Sequence, residues 1–306
     1  MKKVWLLFWI IVSSITVAVV LFSNVQNQAT KASYQAVEVP LQPEIEYKFY
    51  TLPQSVVHTL LIPKNSLFSV KPAVSSTLEL VENIAIKHQT FAAINGGFFD
   101  PMNQKTTSVV IREGALIADP KLNERFINNL KNAPYLEKML NRSELRRYIC
   151  GGTIRYDINL RNEPIPDSCR LVDALGGGPS LLPELNLVPE GFADVANGRV
   201  IRDVLLSNQL NARTAVGITV DGSLLWVMVA QKPENPTTSG MSLPELAKFM
   251  KSLGVEKAMN LDGGSSSSFY YKGKTFYGKV DSKGKCDSLL LNRWTKNPLN
   301  NVAHDH

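Results

Sequence analysis

The sequence predicts an α+β fold with a largely antiparallel mixed β-sheet core and a few packed helices. From Tyr47 onward, short apolar and β-branched runs outnumber helical patterns, and most links between them resemble hairpin turns rather than helical crossovers. The composition, 44% hydrophobic and 20% charged, is typical of a globular protein and excludes a disordered or polytopic membrane chain. The length of 306 residues suffices for one or two domains with cores of their own.

Individual segments carry this prediction. Three hairpins are expected where apolar runs flank a turn that ends in glycine: 109–111 with 115–117, 215–220 with 224–230, and the two halves of 269–276. Ser242 and Glu245 form a capping box around Pro244, which predicts a helix that ends at Gly254. A hairpin of 56–62 with 67–70 and a helix over 77–87 are also expected.

The first 23 residues predict a single transmembrane or signal helix. Lys2 and Lys3 precede an apolar run, 4–22, which as a helix is roughly 28 Å long, close to the ~30 Å hydrocarbon core of a bilayer. No clean cleavage site follows, so we favour an uncleaved signal anchor over a signal peptide cleaved within 29–36. The protein is expected to be exported, either secreted or anchored in the membrane through this helix and facing the periplasm or the exterior.

The remaining chain divides into a linker, one folded domain and a tail. Residues 24–46 are polar and contain two prolines, the domain is expected over 47–295, and 296–306 form a polar tail. Within the domain, 119–170 is predicted as an insertion, helical at first and then rich in Gly and Pro, with an excess of basic residues over 121–155. We interpret its basic face as a solvated helical surface in preference to a site for an anionic polymer.

Charge, histidines and cysteines narrow the function classes. The net charge of +6 does not by itself indicate a nucleic-acid partner, and four histidines poorly supply a zinc site or a Ser-His-Asp triad. Cys150 and Cys169 flank a short Gly- and Pro-containing stretch, and outside the cytoplasm they are expected to form a loop-closing disulfide. Cys286 would be left over, and because spacing alone does not establish pairing, three free thiols stay an alternative.

Four segments place polar or charged residues at the ends of apolar strands, beside glycines or small residues. They are Asn95-Gly96-Gly97, Gly176-Gly177-Gly178, Arg213-Thr214 and Asp262-Gly263-Gly264-Ser265-Ser266. Glycine-rich backbone approaches ligands closely and offers N–H groups to an anion. A guanidinium binds phosphate through paired donors, and a carboxylate stabilises or attacks an electron-poor carbon. Each segment alone is weak evidence, but their occurrence together indicates a functional site.

These segments resemble the phosphodiester glycosidase domain family, which includes the catalytic module of the mannose-6-phosphate uncovering enzyme and many bacterial envelope and exopolysaccharide proteins. The similar stretches are 95–99, 176–179, 213–217, 241–247 and 260–267, in the family's order, and the resemblance spans 47–291 apart from 121–170. It implies removal of a sugar, N-acetylglucosamine in the animal enzyme, from a sugar-1-phosphodiester. Ser265 departs from the family, in which a third glycine commonly follows the aspartate, and its side chain could narrow the phosphate pocket.

The chemistry of such a bond suits these residues. Cleaving an anomeric C–O bond builds oxocarbenium character, which a carboxylate stabilises, and a phosphodiester departs as a weakly basic anion that needs little protonation. We therefore predict three catalytic residues: Asp262 at the carbon, Arg213 at the phosphate, and Asn95 on a sugar hydroxyl or the phosphate. The predicted substrate-binding residues are Gly96, Gly97, Gly176, Gly177, Gly178, Thr214, Gly263, Gly264, Ser265 and Ser266. Asp100 and Asp173 are candidates for a second carboxylate.

The predicted activity is an exported glycosidase that hydrolyses a sugar-1-phosphodiester bond, with an N-acetylglucosamine-type sugar, in an envelope or extracellular glycan. A non-catalytic polysaccharide-binding protein of exopolysaccharide assembly stays an alternative. So does a metal-dependent phosphodiesterase in which Asp262 and either Asp100 or Asp173 are ligands. A carboxylate beside a phosphate is unfavourable for mere binding but useful at an anomeric carbon, which favours the glycosidase. No cofactor, resident metal or nucleic-acid partner is expected.

Overall fold

The computed structural model describes residues 44–279 and the backbone of one further strand, Leu290–Pro298. The predicted transmembrane or signal helix, the linker up to residue 43, Cys286 and the tail beyond Pro298 lie outside the described residues. Within the described part, no helix has the length and apolar character that crossing a membrane requires.

The described part contains eighteen strands and four α-helices. The strands are β1 (Glu46–Thr51), β2 (Val56–Ile62), β3 (Phe68–Glu79), β4 (Ala92–Asn95), β5 (Val110–Arg112), β6 (Ala115–Ala118), β7 (Ser143–Cys150), β8 (Thr153–Leu160), β9 (Cys169–Gly176), β10 (Ser180–Leu182), β11 (Ala193–Ala196), β12 (Arg199–Asp203), β13 (Arg213–Thr219), β14 (Leu224–Ala230), β15 (Val255–Asn260), β16 (Ser268–Tyr271), β17 (Lys274–Tyr277) and β18 (Leu290–Pro298). The helices are α1 (Val81–Lys87), α2 (Glu124–Ile127), α3 (Leu136–Leu140) and α4 (Leu243–Ser252). Short 3₁₀ turns lie at Pro120–Leu122, Ala133–Tyr135 and Gly264–Ser266.

The strands form three large sheets and a separate hairpin. The six-stranded sheet has the order β1-β2-β14-β13-β15-β10, and the two five-stranded sheets have the orders β17-β16-β4-β18-β3 and β6-β5-β9-β7-β8. β11 and β12 form the hairpin. Every strand pair in the described part is antiparallel. The predicted antiparallel β core with few helices is therefore confirmed.

The centre of the six-stranded sheet is buried on both faces. All seven residues of β14 are buried, as its uninterrupted apolar sequence requires. Val216 and Trp226 face a core shared with the five-stranded sheets, whereas Ala215 and Val227 face a second core beneath α4. Full burial of a side chain such as Val216 contributes roughly 1.5–3 kcal/mol, so the sheet is a rigid support for groups at its strand ends.

Most local predictions are confirmed. β5 pairs with β6, β13 with β14, and β16 with β17, each as the predicted hairpin. α4 begins at the predicted capping box, in which the Ser242 hydroxyl accepts the Glu245 N–H and the Glu245 carboxylate accepts the Ser242 N–H. Short-range hydrogen bonding decides all of these features, which is why the sequence reveals them.

Two local predictions are wrong. Residues 56–62 pair with β1 and β14 rather than with 67–70. β3 continues to Glu79 because it pairs with β18, far along the chain, so the helix predicted from residue 77 begins at Val81. A pairing between such distant segments leaves no local signal in either of them.

The segment 119–170, predicted as an insertion, contributes to the core. Its first part forms the predicted short helices, but 143–160 form β7 and β8, and β7 pairs along its length with β9. Leu145 and Ile158 belong to the core shared by the large sheets. The predicted disulfide is confirmed: Cys150 and Cys169 lie opposite each other in β7 and β9, with an S–S distance of 2.02 Å.

Candidate active site

Asp262 lies two residues beyond the end of β15, at a point where three chain segments meet. Its N–H donates to the carbonyl of Gly96, just past β4, at 3.0 Å. The residue before it and the second residue after it donate backbone hydrogen bonds of 2.8 Å to the carbonyls of Thr214 and Ala212, at the start of β13. The ends of β4 and β15 and the start of β13 therefore hold this aspartate in place.

The Asp262 carboxyl is poised to change protonation near neutral pH. The residue is partly exposed, yet burial of its carboxyl raises the pKa to about 7, and hydrogen bonds from the Ser266 side chain and the Gly263 N–H oppose that rise. No Lys, Arg or His side chain of residues 44–279 forms an ion pair with it. Such a carboxyl can act as an anion or as a proton donor, depending on pH.

Asn95 and Thr214 hold the backbone around Asp262. The Asn95 side chain is fully buried, its Nδ2 donates to the Asp262 carbonyl at 2.7 Å, and its Oδ1 accepts from the Thr214 hydroxyl at 2.7 Å and the Ser268 N–H at 3.1 Å. These bonds direct the amide into the protein, in contrast to the predicted contact with a sugar hydroxyl or phosphate. The two side chains therefore help to hold the aspartate's backbone in place, together with the backbone hydrogen bonds of the strand ends.

Arg213 is close to Asp262 along the backbone but its guanidinium points elsewhere. Its Cδ lies 3.8 Å from where a Cβ on Gly263 would stand. The guanidinium makes four hydrogen bonds of 2.9–3.1 Å to backbone carbonyls, those of Met241, Leu205, Leu206 and Gln209. Burial lowers the pKa of Arg213 to about 10. Because a guanidinium has five donors, four of them spent here, the geometry does not support the predicted phosphate contact. It ties the 205–209 loop to β13.

Gly176, Gly177 and Gly178 form a packing contact rather than an open cradle for phosphate. Their N–H groups already donate, at 2.8–2.9 Å, to the carbonyls of Val109, Ser143 and Asn260. All three glycines are buried, and a Cβ on Gly177 would lie 2.8 Å from the Asn260 carbonyl oxygen. Glycine is needed here because two chain segments approach too closely for a side chain, which corrects the expectation that these N–H groups face substrate.

The turn after Asp262 is mostly internal. Gly263 and Ser266 bond to the carboxyl, and Gly264 adopts φ +62° and donates to the Ala212 carbonyl. Ser265 is the exposed residue of this turn, so among 263–266 its side chain is the one placed to meet a ligand. Gly96 and Gly97 are buried at the end of β4, where Gly96 accepts the Asp262 N–H. Apart from Ser265, these residues hold the backbone of the site in place and do not present free side chains to a ligand.

Both candidates for a second carboxylate are held by other partners. Asp100 pairs with Arg125 at 2.9 Å and accepts the Met102 N–H. Asp173 is fully buried and pairs with Arg147 at 2.5 Å. Within the described part of the chain, no three His, Cys, Asp or Glu side chains come together as a metal-ligand group. Of the three aspartates predicted from the sequence, Asp262 is the one that the structure places where the strand ends meet.

The structure also brings in Arg142, which the sequence analysis does not single out. It precedes β7 and lies beside Phe98, the fourth residue of the 95–99 motif. Arg142 lies in the segment interpreted as an insertion, and a single arginine outside any motif gives no pattern from which a function could be predicted. The strand that follows Arg142, 143–150, is mostly buried, but its charged residues make it look exposed in the sequence. Recognition of that strand is the signal that could have pointed to Arg142.

Comparisons with known proteins agree with the fold and the motifs. A profile of the phosphodiester glycosidase family matches residues 88–297. Among solved structures, the catalytic domain of zebrafish N-acetylglucosamine-1-phosphodiester alpha-N-acetylglucosaminidase, auto-inhibited by its pro-peptide, is 20% identical with a TM-score of 0.56, and the match covers 82% of this chain and 81% of that one.

A protein of Synechocystis described as hypothetical has a similar structure. It is 16% identical with a TM-score of 0.54, and the match covers 82% of this chain but only 62% of that one. At these identities the two structures establish a shared fold. No curated protein matches the sequence.

Proposed function

The chain belongs to the phosphodiester glycosidase family, and from that membership we propose that it hydrolyses the bond between C1 of a sugar and the phosphate of a phosphodiester. The observation that carries the proposal is the Asp262 carboxyl, which lies in a partly exposed residue where strand ends meet and has a pKa of about 7. Strongly shifted carboxyls in such positions are typical of catalytic groups.

In the proposed reaction, the C1–O bond breaks and its electron pair leaves with the phosphate. The Asp262 carboxylate stabilises the positive charge that develops on C1, by its charge or through a transient covalent bond. Water supplies the hydroxyl at C1 and gives up one proton, which the departing phosphate or solvent takes, so the products are free sugar and a phosphomonoester. The ion pairs of Asp100 and Asp173 support a mechanism without a second carboxylic acid, because the phosphate is a weakly basic leaving group.

We propose an N-acetylglucosamine-type sugar in an envelope or extracellular glycan as the substrate. The similarity to the zebrafish enzyme, whose name states an N-acetylglucosamine-1-phosphodiester substrate, supports this sugar. The Cys150–Cys169 disulfide supports export, since disulfides persist in oxidising compartments. The apolar run 4–22 supports either a membrane anchor or a cleaved signal peptide.

Hydrolysis in ¹⁸O-labelled water tests the function directly. With an N-acetylglucosamine 1-phosphodiester, we expect free sugar to be released with the label on C1, because water attacks carbon. NMR of the first product anomer would then show inversion or retention. Label in the phosphate instead would make the protein a phosphodiesterase, and saturable binding without release of sugar would make it a polysaccharide-binding protein.

The pH dependence follows from the protonation of Asp262. Below about pH 7 the carboxyl is protonated and cannot stabilise a cation, so kcat/KM should rise about tenfold per pH unit and level off above about pH 7. A profile between pH 5 and 9 measures this, and the phosphodiester substrate does not titrate in that range. Activity that falls through pH 7 would instead make Asp262 a proton donor.

A further inference from the structure

Arg142, just before β7, has its guanidinium held by three protein contacts. The guanidinium carbon lies 3.6 Å from the centroid of the Phe192 ring and 6.0 Å from that of Phe98. Its Nε donates to the backbone carbonyl of Glu190 at 3.0 Å. A stacked ring on one side and a hydrogen bond at Nε hold the planar group in one orientation, with its two Nη atoms at the opposite edge.

That outer edge has no protein partner among residues 44–279. Neither Nη atom of Arg142 donates a hydrogen bond there, and no carboxylate lies within 4.0 Å of the guanidinium. Arg213, by contrast, spends four donors on carbonyls. Burial lowers the pKa of Arg142 to about 9; the Glu190 carboxylate opposes this shift and the Arg202 guanidinium adds to it. No carboxylate forms a salt bridge with this desolvated cation among residues 44–279, and an anionic ligand on the Nη edge would supply direct hydrogen-bonded acceptors.

Arg142 also lines a narrow cavity of about 20 Å³. Arg161 contributes a second guanidinium to its wall, and the Arg161 N–H donates to the Arg142 carbonyl at 3.1 Å. The wall includes one carboxylate, Glu144, which pairs with Arg146 at 2.6 Å and with Arg161 at 3.6 Å. The cavity admits about one or two water-sized groups, which suits the oxygens at the edge of a phosphate and excludes a sugar ring.

The cavity shares residues with the backbone that holds Asp262. Ser108 and Gly176 line it, and a Cβ on Gly97 would lie only 2.5 Å from the Ser108 Oγ and 2.3 Å from the Gly176 carbonyl oxygen. The residue before Gly97 is Gly96, whose carbonyl accepts the Asp262 N–H at 3.0 Å. Asp262 and the cavity are therefore neighbours along the turn that follows β4.

We propose that Arg142 binds the phosphate of the substrate through its two Nη atoms, so that phosphate oxygens occupy the mouth of the cavity while C1 of the sugar faces Asp262. The inference rests on the proposed function. It gives the role predicted for Arg213 to a residue of the segment 119–170. The planar edge fits two phosphate oxygens at once, and its positive charge opposes the negative charge that grows on the leaving group.

Charged and uncharged substrates distinguish this role from a structural one. In Arg142→Gln, kcat/KM for an N-acetylglucosamine 1-phosphodiester should fall by about 10²–10³-fold, whereas that for an uncharged aryl glycoside of the same sugar should change little. Arg142→Lys should restore part of the loss, because it returns the charge without the paired donors. Arg155→Gln, at an exposed arginine of β8, is the matched control and should affect neither substrate.

Calorimetric titration of the full chain with inorganic phosphate keeps the inference separate from the proposed function. The wild type and Arg155→Gln should bind phosphate, and Arg142→Gln, shown to be folded by circular dichroism, should bind at least about tenfold more weakly. This pattern without release of sugar would leave the anion site standing while the proposed function fails. Equal phosphate affinity in Arg142→Gln and the wild type, no binding to the wild type, or equal loss on both substrates would overturn the assignment.

Discussion

Asp262→Asn is expected to lower turnover of a sugar-1-phosphodiester by at least about 10³-fold. The amide is nearly the same size, and its oxygen can still accept the Gly263 N–H, so the change mainly removes charge and nucleophilicity. The measurement is the rate of sugar release at pH 8, where the wild-type carboxyl is ionised. Asp167→Asn, at an exposed aspartate, is the matched control and should leave the rate unchanged.

The same substitution is expected to stabilise the fold at alkaline pH. The folded-state pKa of Asp262, about 7, lies above the usual value near 3.9, so between these values the folded protein holds a proton that the unfolded chain has released. The free energy of unfolding therefore falls as pH rises from about 4 to 7. Asp262→Asn should escape this loss and unfold at higher urea at pH 8, by about 2–4 kcal/mol, with no gain at pH 4.

A pair of outcomes would contradict this account of Asp262. Turnover retained in Asp262→Asn would remove the residue from the mechanism. An inactive variant whose gain in stability over the wild type is no larger at pH 8 than at pH 4 would mean that the carboxyl has an ordinary pKa, and the expected pH profile would then fail as well.

Arg213→Ala is expected to destabilise the protein by about 3–5 kcal/mol. Four backbone carbonyls would lose their donor, three of them in the 205–209 loop, and a cavity would open beneath β13. Urea unfolding measures the loss, and Arg213→Lys should lie between the variant and the wild type because one ammonium cannot reach all four carbonyls.

Substrate selectivity separates this role from the one that the sequence suggests for Arg213. At a temperature where Arg213→Ala is still folded, the ratio of kcat/KM for the phosphodiester to that for the uncharged aryl glycoside should match the wild type. A collapse of that ratio with unchanged stability would return Arg213 to the phosphate site and contradict the structural role.

The sequence predicts the location of the candidate site better than it predicts what each side chain of the site contacts. Asn95 and Asp262 each follow a short apolar strand and precede glycines, and the structure brings them together through the 2.7 Å bond from the Asn95 amide to the Asp262 carbonyl. Arg213 follows the same pattern, but the direction of its guanidinium depends on the carbonyls of a loop folded against it. Strand-end position is readable from a local pattern, whereas side-chain direction is not.

The backbone N–H groups of the glycine run are a second case in which the sequence gives the position of a feature but not what it contacts. The run Gly176 to Gly178 is typical both of an anion cradle and of a close contact between strands, and the two differ only in what the N–H groups meet. Here they meet the carbonyls of Val109, Ser143 and Asn260, which come from three distant parts of the chain. Only the assembled sheets decide between these uses.

The sequence by itself determined the hairpins, the capping box of α4 and the position of the predicted site residues at strand ends. Each depends on turn chemistry, side chain-to-backbone bonding or short spacing, which act over a few residues. The tertiary structure alone decided that β3 pairs with β18, that 143–160 enters a core sheet, and that four Arg213 donors meet backbone carbonyls, whereas Arg142 uses only its Nε among the described residues. Those outcomes depend on contacts between segments that are distant in the sequence. The hydrogen-bond partner of each N–H group and each guanidinium is set only when the sheets have formed.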